Sequence, residues 1–266
     1  MSRQLHLRVV SVVVLSFAAA ATPAASLLAQ PAARPASDSQ AQAGLSRIFA
    51  ELLSDDSPHM RMAPTRVATA ADSARAAALV ATARAALGRY KDVKLAEQDG
   101  YWRNLSIVKD QPIYHYNNLH NFKAAAGGAF DITKPVSLLY KNDDHGQPRL
   151  VGAMYGTGVD DPNLDAMLPT SMAHWHEHVN MCYPGGKGLG PRSGKIDART
   201  VFWLQYFFNI TSASECEAEG GNFVKVESGW MTHVYMFAGS DDPKAIWDVD
   251  DAGNPETHMM HPAMVP

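Results

Sequence analysis

The chain has 266 residues, of which 46% are hydrophobic, and a formal net charge of -4 at pH 7. This length suits one large all-β or α+β domain. There is no basic run and no stripe of Lys and Arg, so a nucleic-acid-binding function is unsupported.

The N-terminal segment has the three parts of a secretory signal peptide. Two arginines and a histidine precede an apolar run over Val9–Ala21, and small residues follow, with cleavage expected after Ala25 or Ala29. The apolar run is shorter than the roughly 20 residues that a membrane-spanning helix needs. We therefore expect residues 1–29 to be removed, and the mature protein to be secreted or periplasmic and not membrane-spanning.

Residues 30–65 are rich in Ala, Pro, Ser, Gln and Asp and are predicted to be a flexible leader. Within it, Leu45–Leu53 has the pattern of one short amphipathic helix. Near its end, His59-Met60-Arg61-Met62 places a histidine next to methionines, and the polar tail over 257–264 repeats this combination. Thioether and imidazole together suit copper, particularly Cu(I), better than zinc. The two segments favour copper among the possible metals.

Residues 66–266 are predicted to form a single domain that begins with a helix and continues mainly as strands. Thr69–Leu87 is Ala-rich, is followed by Gly88, and has apolar positions every four residues, so it is expected to be a helix packed on the core. Short runs rich in aromatic and β-branched residues then predict strands. They are Tyr101–Val108, Ile113–Asn117, Val136–Tyr140, Arg149–Tyr155, Asn222–Glu227 and Trp230–Phe237. The aromatic run Val201–Phe208 fits a core strand or a buried helix equally well.

The strongest functional pattern is the alternation of His174, His176 and His178. In a strand, these three side chains lie on one face, about 6.6–6.8 Å apart along the chain, close enough for two imidazoles to chelate one ion. Neutral imidazole is the commonest protein ligand for zinc and copper. Alternatively, the three residues form an exposed polar face or a stack of hydrogen-bonded histidines. We interpret the alternation as a metal site.

Two further histidines lie inside predicted strands and extend this hypothesis. His115 lies in Tyr114-His115-Tyr116, and His233 lies in the run over 230–237. Pairing of the triple-histidine strand with the His233 strand would give two ligands from one strand and a third from its neighbour, as in a three-histidine site. Each of the two, taken singly, also fits a structural histidine that binds a backbone carbonyl.

The two cysteines, Cys182 and Cys216, predict one disulfide bond, as expected in an oxidising compartment. It would close a loop of about 35 residues and contribute about 3–4 kcal/mol in the chain-entropy model. The competing interpretation makes Cys182 a metal ligand, as in a blue-copper site.

Several segments together resemble a set of uncharacterised secreted bacterial proteins. The resemblance covers roughly residues 90–248 and rests on Tyr114-His115-Tyr116-Asn117, His176-Glu177-His178-Val179-Asn180-Met181-Cys182, Cys216 followed by Gly220-Gly221, and Gly229-Trp230-Met231-Thr232-His233-Val234-Tyr235. It implies secretion and brings no established activity.

The sequence therefore predicts an α+β fold in which an Ala-rich N-terminal helix packs on a mainly antiparallel sheet, as a sandwich or an open barrel. The hypothesis for function is a secreted or periplasmic protein that binds one transition-metal ion, copper favoured over zinc or iron. Its candidate ligands are His174, His176, His178, His233 and His115. One alternative is a metal-dependent enzyme, a zinc hydrolase or a cupin-like copper or iron oxidase, with a cleft edged by Tyr114, Tyr116 or Asp160. The other alternative is a secreted binding module with structural histidines.

Overall fold

The computed structural model describes residues 38–52, 54–103, 113–184 and 198–247. These residues belong to one compact unit. The expected signal peptide, the polar tail and its His–Met run lie outside the described residues, as does part of the strand predicted over 101–108.

The described residues contain eight α-helices and one short 3-10 helix. The α-helices are α1 (Asp38–Leu52), α2 (Ala70–Leu87), α3 (Val93–Gln98), α4 (Leu119–Ala126), α5 (Leu164–Met167), α6 (Ala198–Phe208), α7 (Ala213–Ala218) and α8 (Pro243–Trp247), and the 3-10 helix is Gly88–Lys91. None of these helices combines the length and apolar character needed to cross a membrane. The aromatic run over 201–208, for which the sequence allowed either a strand or a helix, lies in α6 and is helical.

Within the described ranges, eight strands form one antiparallel sheet. They are β1 (Met60–Met62), β2 (Trp102–Arg103), β3 (Tyr114–Asn117), β4 (Ser137–Asn142), β5 (Pro148–Gly156), β6 (His176–Tyr183), β7 (Asn222–Val226) and β8 (Met231–Val234). Their order is β1-β6-β8-β5-β4-β3-β2, and β7 pairs with the C-terminal half of β6. The predicted α+β fold with a mainly antiparallel sheet is confirmed.

Helix α2 is the Ala-rich helix expected from the sequence, and it packs on the sheet. Thr69 caps its first turn, and Asp72 completes the reciprocal capping box by accepting from the Thr69 backbone N–H. Its buried positions Ala76, Val80 and Ala83 belong to the main core cluster. Small side chains at these positions let the helix lie close to the large aromatic residues of the sheet.

One face of the sheet, here called the core face, carries that cluster. Its aromatic members Tyr140, Tyr155 and Trp175 are almost fully buried. Glu177 also lies on this face and is fully buried, and Arg61 on the neighbouring strand β1 donates to its Oε2 through both Nε and Nη2. Strand alternation therefore turns Glu177 away from the histidines on either side of it.

Part of the expected leader forms secondary structure. Helix α1 covers most of the predicted amphipathic segment and packs through Leu45 and Ile48 against α6 and β6. Strand β1 pairs with β6 and is anchored at both ends: the Ala63 backbone N–H donates to the Trp175 carbonyl at 2.8 Å, and the His59 carbonyl accepts from the Val179 N–H at 2.8 Å. These contacts span more than 100 residues of sequence, so local composition did not reveal them.

The predicted disulfide bond between Cys182 and Cys216 is present and ties the end of β6 to α7. Both sulfurs lie against Gly221, where a Cβ atom would stand only 2.7 Å from the Cys216 Sγ and 2.8 Å from the Cys182 Sγ. Cys182 is therefore a disulfide partner, and a blue-copper site that uses it is excluded.

Candidate metal centre

Three strands place histidines on the face opposite the core face, here called the histidine face. His176 and His178 alternate with Glu177 on β6, His233 lies on β8 and His115 lies on β3. Of these three strands, β6 and β8 are direct neighbours, and His176 lies opposite Met231. The pairing expected from the sequence between the triple-histidine strand and the His233 strand is present.

The four rings form a continuous row in the order His115, His233, His176, His178. The ring centroids are 5.5 Å apart for His115 and His233, 5.4 Å for His233 and His176, and 5.8 Å for His176 and His178. The Nε2 atoms of His115 and His233 are 3.3 Å apart and share a hydrogen bond, in which one of the two neutral rings donates to the other. His115, which sequence reasoning ranked below the β6 histidines, is thus in direct contact with another ring nitrogen of the row.

This contact requires a curved sheet. Strands β4 and β5 separate β3 from β8, so a flat sheet would put β3 and β8 roughly 14 Å apart. Imidazole side chains of two residues cannot bridge such a gap to hydrogen-bonding distance. The histidine face is therefore concave between β3 and β8, and curvature brings distant strands to one point.

The separation of the two nitrogens matches that of two ligands on one ion. With bonds of 2.0–2.1 Å and a tetrahedral angle, two imidazole nitrogens on one metal lie roughly 3.3–3.4 Å apart. As the side chains stand, no group of three or more His, Cys, Asp or Glu in the described part of the chain is arranged to hold a metal ion. The geometry is thus a preformed pair, with His176 as the adjacent third imidazole.

Burial keeps three of the four rings in the basic, uncharged form. It is the largest cause that lowers the pKa of His115 to about 4 and the pKa of His176 to about 4, and it also lowers the pKa of His233 well below its usual value. Neighbouring histidines lower all three further, because each opposes a second positive charge. At neutral pH these rings carry lone pairs, which is the state that binds metals.

Backbone and carboxylate acceptors fix the tautomers of the two β6 histidines. The His176 Nδ1 lies 3.2 Å from the His174 carbonyl, and the His178 Nδ1 lies 3.3 Å from Glu227 Oε2. A carbonyl oxygen and a carboxylate only accept hydrogen bonds, so each Nδ1 carries the proton when the ring is neutral. The lone pair then sits on Nε2, in the arrangement that metal-ligating histidines use.

Glu227 is a member of this site that the sequence did not indicate. It follows β7, and its backbone N–H donates to the His178 carbonyl at 2.9 Å, while its carboxylate accepts from the Tyr183 hydroxyl. Its hydrogen bond with His178 is the main cause that lowers the pKa of its carboxyl group. Its only sequence signal is a glutamate at the end of a strand, which is too common to be informative.

One ring nitrogen in the row is buried without a hydrogen-bond partner, the Nδ1 of His233. Such an atom costs about 1–3 kcal/mol, unless an ion or a water binds it. Glu177 Oε1 and Thr232 Oγ1 are also unpartnered, on the core face. The unpartnered Nδ1 of His233 therefore places an unsatisfied buried nitrogen within the histidine row.

His174 lies next to the row but precedes β6, because the strand begins two residues later than the alternation suggested. Its carbonyl faces the His176 Nδ1, and its ring contributes to the lowered pKa of His176. His59 is a structural histidine: its Nδ1 and Nε2 face the carbonyls of Val179 and Phe208 at 3.3 and 2.5 Å. Tyr114 and Tyr116, expected to edge a cleft beside the histidines, alternate onto the core face instead and are buried there.

Comparisons with known proteins do not assign this chain to a family. The sequence matches no protein-family profile, no curated protein and no solved structure. The function is therefore inferred from the residues and their contacts.

Proposed function

We propose that this protein binds one transition-metal ion on its histidine face through His115, His176 and His233, with His178 as the next ligand. Copper is favoured over zinc or iron. The observation that supports the proposal is the row of four adjacent imidazoles with a 3.3 Å separation between the Nε2 atoms of His115 and His233. The His176 ring, whose centroid lies 5.4 Å from that of His233, is the candidate for the third nitrogen ligand.

The protonation of the row supports the same function. His115, His176 and His233 have lowered pKa values, so metal binding at neutral pH need not displace protons from them. Burying a neutral imidazole is costly unless its nitrogens find partners, and the Nδ1 of His233 has none. A ligand that reached this nitrogen would remove that cost.

Metal binding or handling is favoured over metal-dependent catalysis by the placement of the cleft candidates. Tyr114 and Tyr116 lie on the core face, and Asp160 accepts a hydrogen bond from Arg61 at 3.0 Å. None of these three side chains is directed to the histidine row. The proposal is therefore a binding site and names no substrate.

We also propose that the protein works outside the cytoplasm. The signal-like N-terminal segment carries this proposal, and the disulfide bond between Cys182 and Cys216 supports it. Disulfide bonds persist in the periplasm and outside the cell, where thiols are not kept reduced.

The test is elemental analysis of protein purified from the periplasm or medium of its native host, together with His233→Ala and His115→Ala variants. We expect about one equivalent of copper in the native protein and at least a tenfold loss of metal affinity in each variant. The matched control is His145→Ala, because His145 lies in an exposed loop. Metal that stays bound in both variants, or native protein with no metal above background, would contradict the proposal.

A further inference from the structure

Methionines lie directly opposite the histidines of the proposed site. In the β1–β6 ladder, Met60 is opposite His178 and Met62 is opposite His176. On the other side of β6, Met231 is also opposite His176. One strand further, Met154 is opposite His233. Every candidate ligand on β6 and β8 thus has a methionine as a cross-strand neighbour.

Cross-strand partners share a face of the sheet, so these methionines belong to the histidine face. Directly opposite residues in antiparallel strands have Cβ atoms about 4.5–5.5 Å apart, close enough for their side chains to touch. Strands usually favour β-branched and aromatic residues at such positions. Four of the chain's 12 methionines instead concentrate beside the imidazole row.

Two of the four are better placed to bind an ion. Met154 and Met231 line a narrow crevice together with Phe122 of α4, so they already have apolar neighbours. Met60 and Met62 are half-buried on β1, which is the first strand in the sheet order, and they alternate with Arg61, which binds Glu177 on the core face. The anchors at His59 and Ala63 hold both methionines in register with His178 and His176.

The thioether sulfur is a soft ligand that binds Cu(I) well and zinc poorly, whereas imidazole binds both. A site with imidazoles on β3, β6 and β8 and thioethers on β1 would therefore discriminate between these ions. We propose that Met62, opposite His176, provides a thioether ligand to the metal of the histidine row, with Met60 as the next thioether beside His178, and that this makes the site selective for Cu(I). This inference rests on the proposed function and adds the oxidation state of the ion and the residues that select it.

The experiment measures Cu(I) and Zn(II) affinities of the mature chain, without oxygen for Cu(I), by competition with a chromophoric chelator for each ion. The test variant is the double substitution Met60→Leu and Met62→Leu, which conserves volume and apolar character. We expect its Cu(I) affinity to fall at least tenfold and its Zn(II) affinity to change less than twofold. X-ray absorption of the Cu(I) form should show sulfur neighbours that the variant loses.

The matched control is Met181→Leu. Met181 lies on the same strand β6 but packs against Ile48, Leu52 and Phe208 in a separate cluster, so both affinities should stay unchanged. A double variant with native Cu(I) affinity, in a protein that still binds Zn(II) through its histidines, would overturn the thioether inference alone. A chain that binds neither ion would overturn the proposed function as well. Thermal unfolding within a few degrees of the native protein confirms that the variant is folded.

Discussion

The two faces of the sheet stabilise buried polar groups in different ways, although the same strands build both faces. On β6, Glu177 points to the core face while His176 and His178 point to the histidine face. On β8, Thr232 and Val234 point to the core face while His233 points away. The period of two in a strand allows these two environments to exist one residue apart.

On the core face a buried charge is balanced by an opposite charge. The Glu177 carboxylate is fully buried and binds the Arg61 guanidinium, which also reaches Asp160 and lies 5.0 Å above the Trp230 ring. On the histidine face, neutralisation takes the place of pairing, since burial lowers the pKa of His115, His176 and His233. A face of neutral bases can accept a cation, whereas a buried carboxylate that already has a cationic partner does not need one.

The largest expected effect comes from adding protons to the histidine face. In metal-free protein, His115 and His176 have a folded pKa of about 4, below the value of about 6.5 expected in the unfolded chain. Between these values the unfolded chain binds more protons, so stability falls as pH falls from 6.5 to 4. We expect about 2–3 kcal/mol of lost stability per histidine between pH 7 and pH 4.5. Urea unfolding at the two pH values, with a chelator present, measures it.

A matched pair of variants shows whether the histidine face causes this loss. His176→Gln removes one buried base, so it should reduce the loss between pH 7 and pH 4.5 by about 2 kcal/mol. His145→Gln changes an exposed loop residue and should leave the full loss in place. Equal pH dependence in both variants would show that the carboxylates, and not the buried imidazoles, dominate acid unfolding.

The next largest loss of stability is expected when the buried Glu177 carboxylate on the core face loses its cationic partner. Arg61→Ala leaves the Glu177 carboxylate, whose side chain is 0% exposed, without its partner. Removing one partner of a buried ion pair costs about 3–5 kcal/mol. We expect a loss of this size in urea unfolding at pH 7, and a metal affinity that changes less than tenfold because the Arg61 side chain does not reach the histidines.

Asp160→Ala is the control for the same network. The Asp160 side chain is 73% exposed, so its ion pair with Arg61 should contribute less than about 1 kcal/mol. Equal destabilisation by Arg61→Ala and Asp160→Ala would show that Arg61 does not balance a buried charge on Glu177. The core face would then not differ from the histidine face in the way described above.

Local patterns were sufficient to predict the elements that carry the histidines. The alternation of His176 and His178 predicted one strand face, and the aromatic and branched runs predicted the strands of His115 and His233. The Ala-rich helix was predicted because its cap and periodicity both lie within Thr69–Leu87. The disulfide bond was predicted because only two cysteines were available.

The convergence of the site could not be predicted, because it depends on long-range geometry. The contact between His115 and His233 requires curvature across β4 and β5, which no local pattern specifies. The placement of Met60 and Met62 depends on β1 pairing with β6, and the leader composition argued against any strand there. Strand β6 begins at His176, so His174 lies outside the strand that the alternation predicted.

The smallest effect we predict concerns Glu227, which lies at the edge of the histidine face and orients a proposed ligand. Glu227→Gln should weaken metal binding about tenfold, because an amide oxygen accepts the His178 Nδ1–H bond less strongly than a carboxylate. Folding should be little changed, since the Glu227 side chain is 40% exposed. The ¹⁵N shifts of the His178 ring should show a smaller population of the Nδ1–H tautomer, which a purely structural role would not change.

The comparison for this variant is Glu217→Gln, an exposed position on α7 that should alter neither metal affinity nor the ring shifts. Tyr183→Phe removes the second hydrogen bond to the Glu227 carboxylate and should have a weaker effect in the same direction. A Glu227→Gln variant with native metal affinity but a shifted tautomer would show that His178 does not bind the metal. The site would then consist of His115, His233 and His176, since those three rings remain adjacent without it.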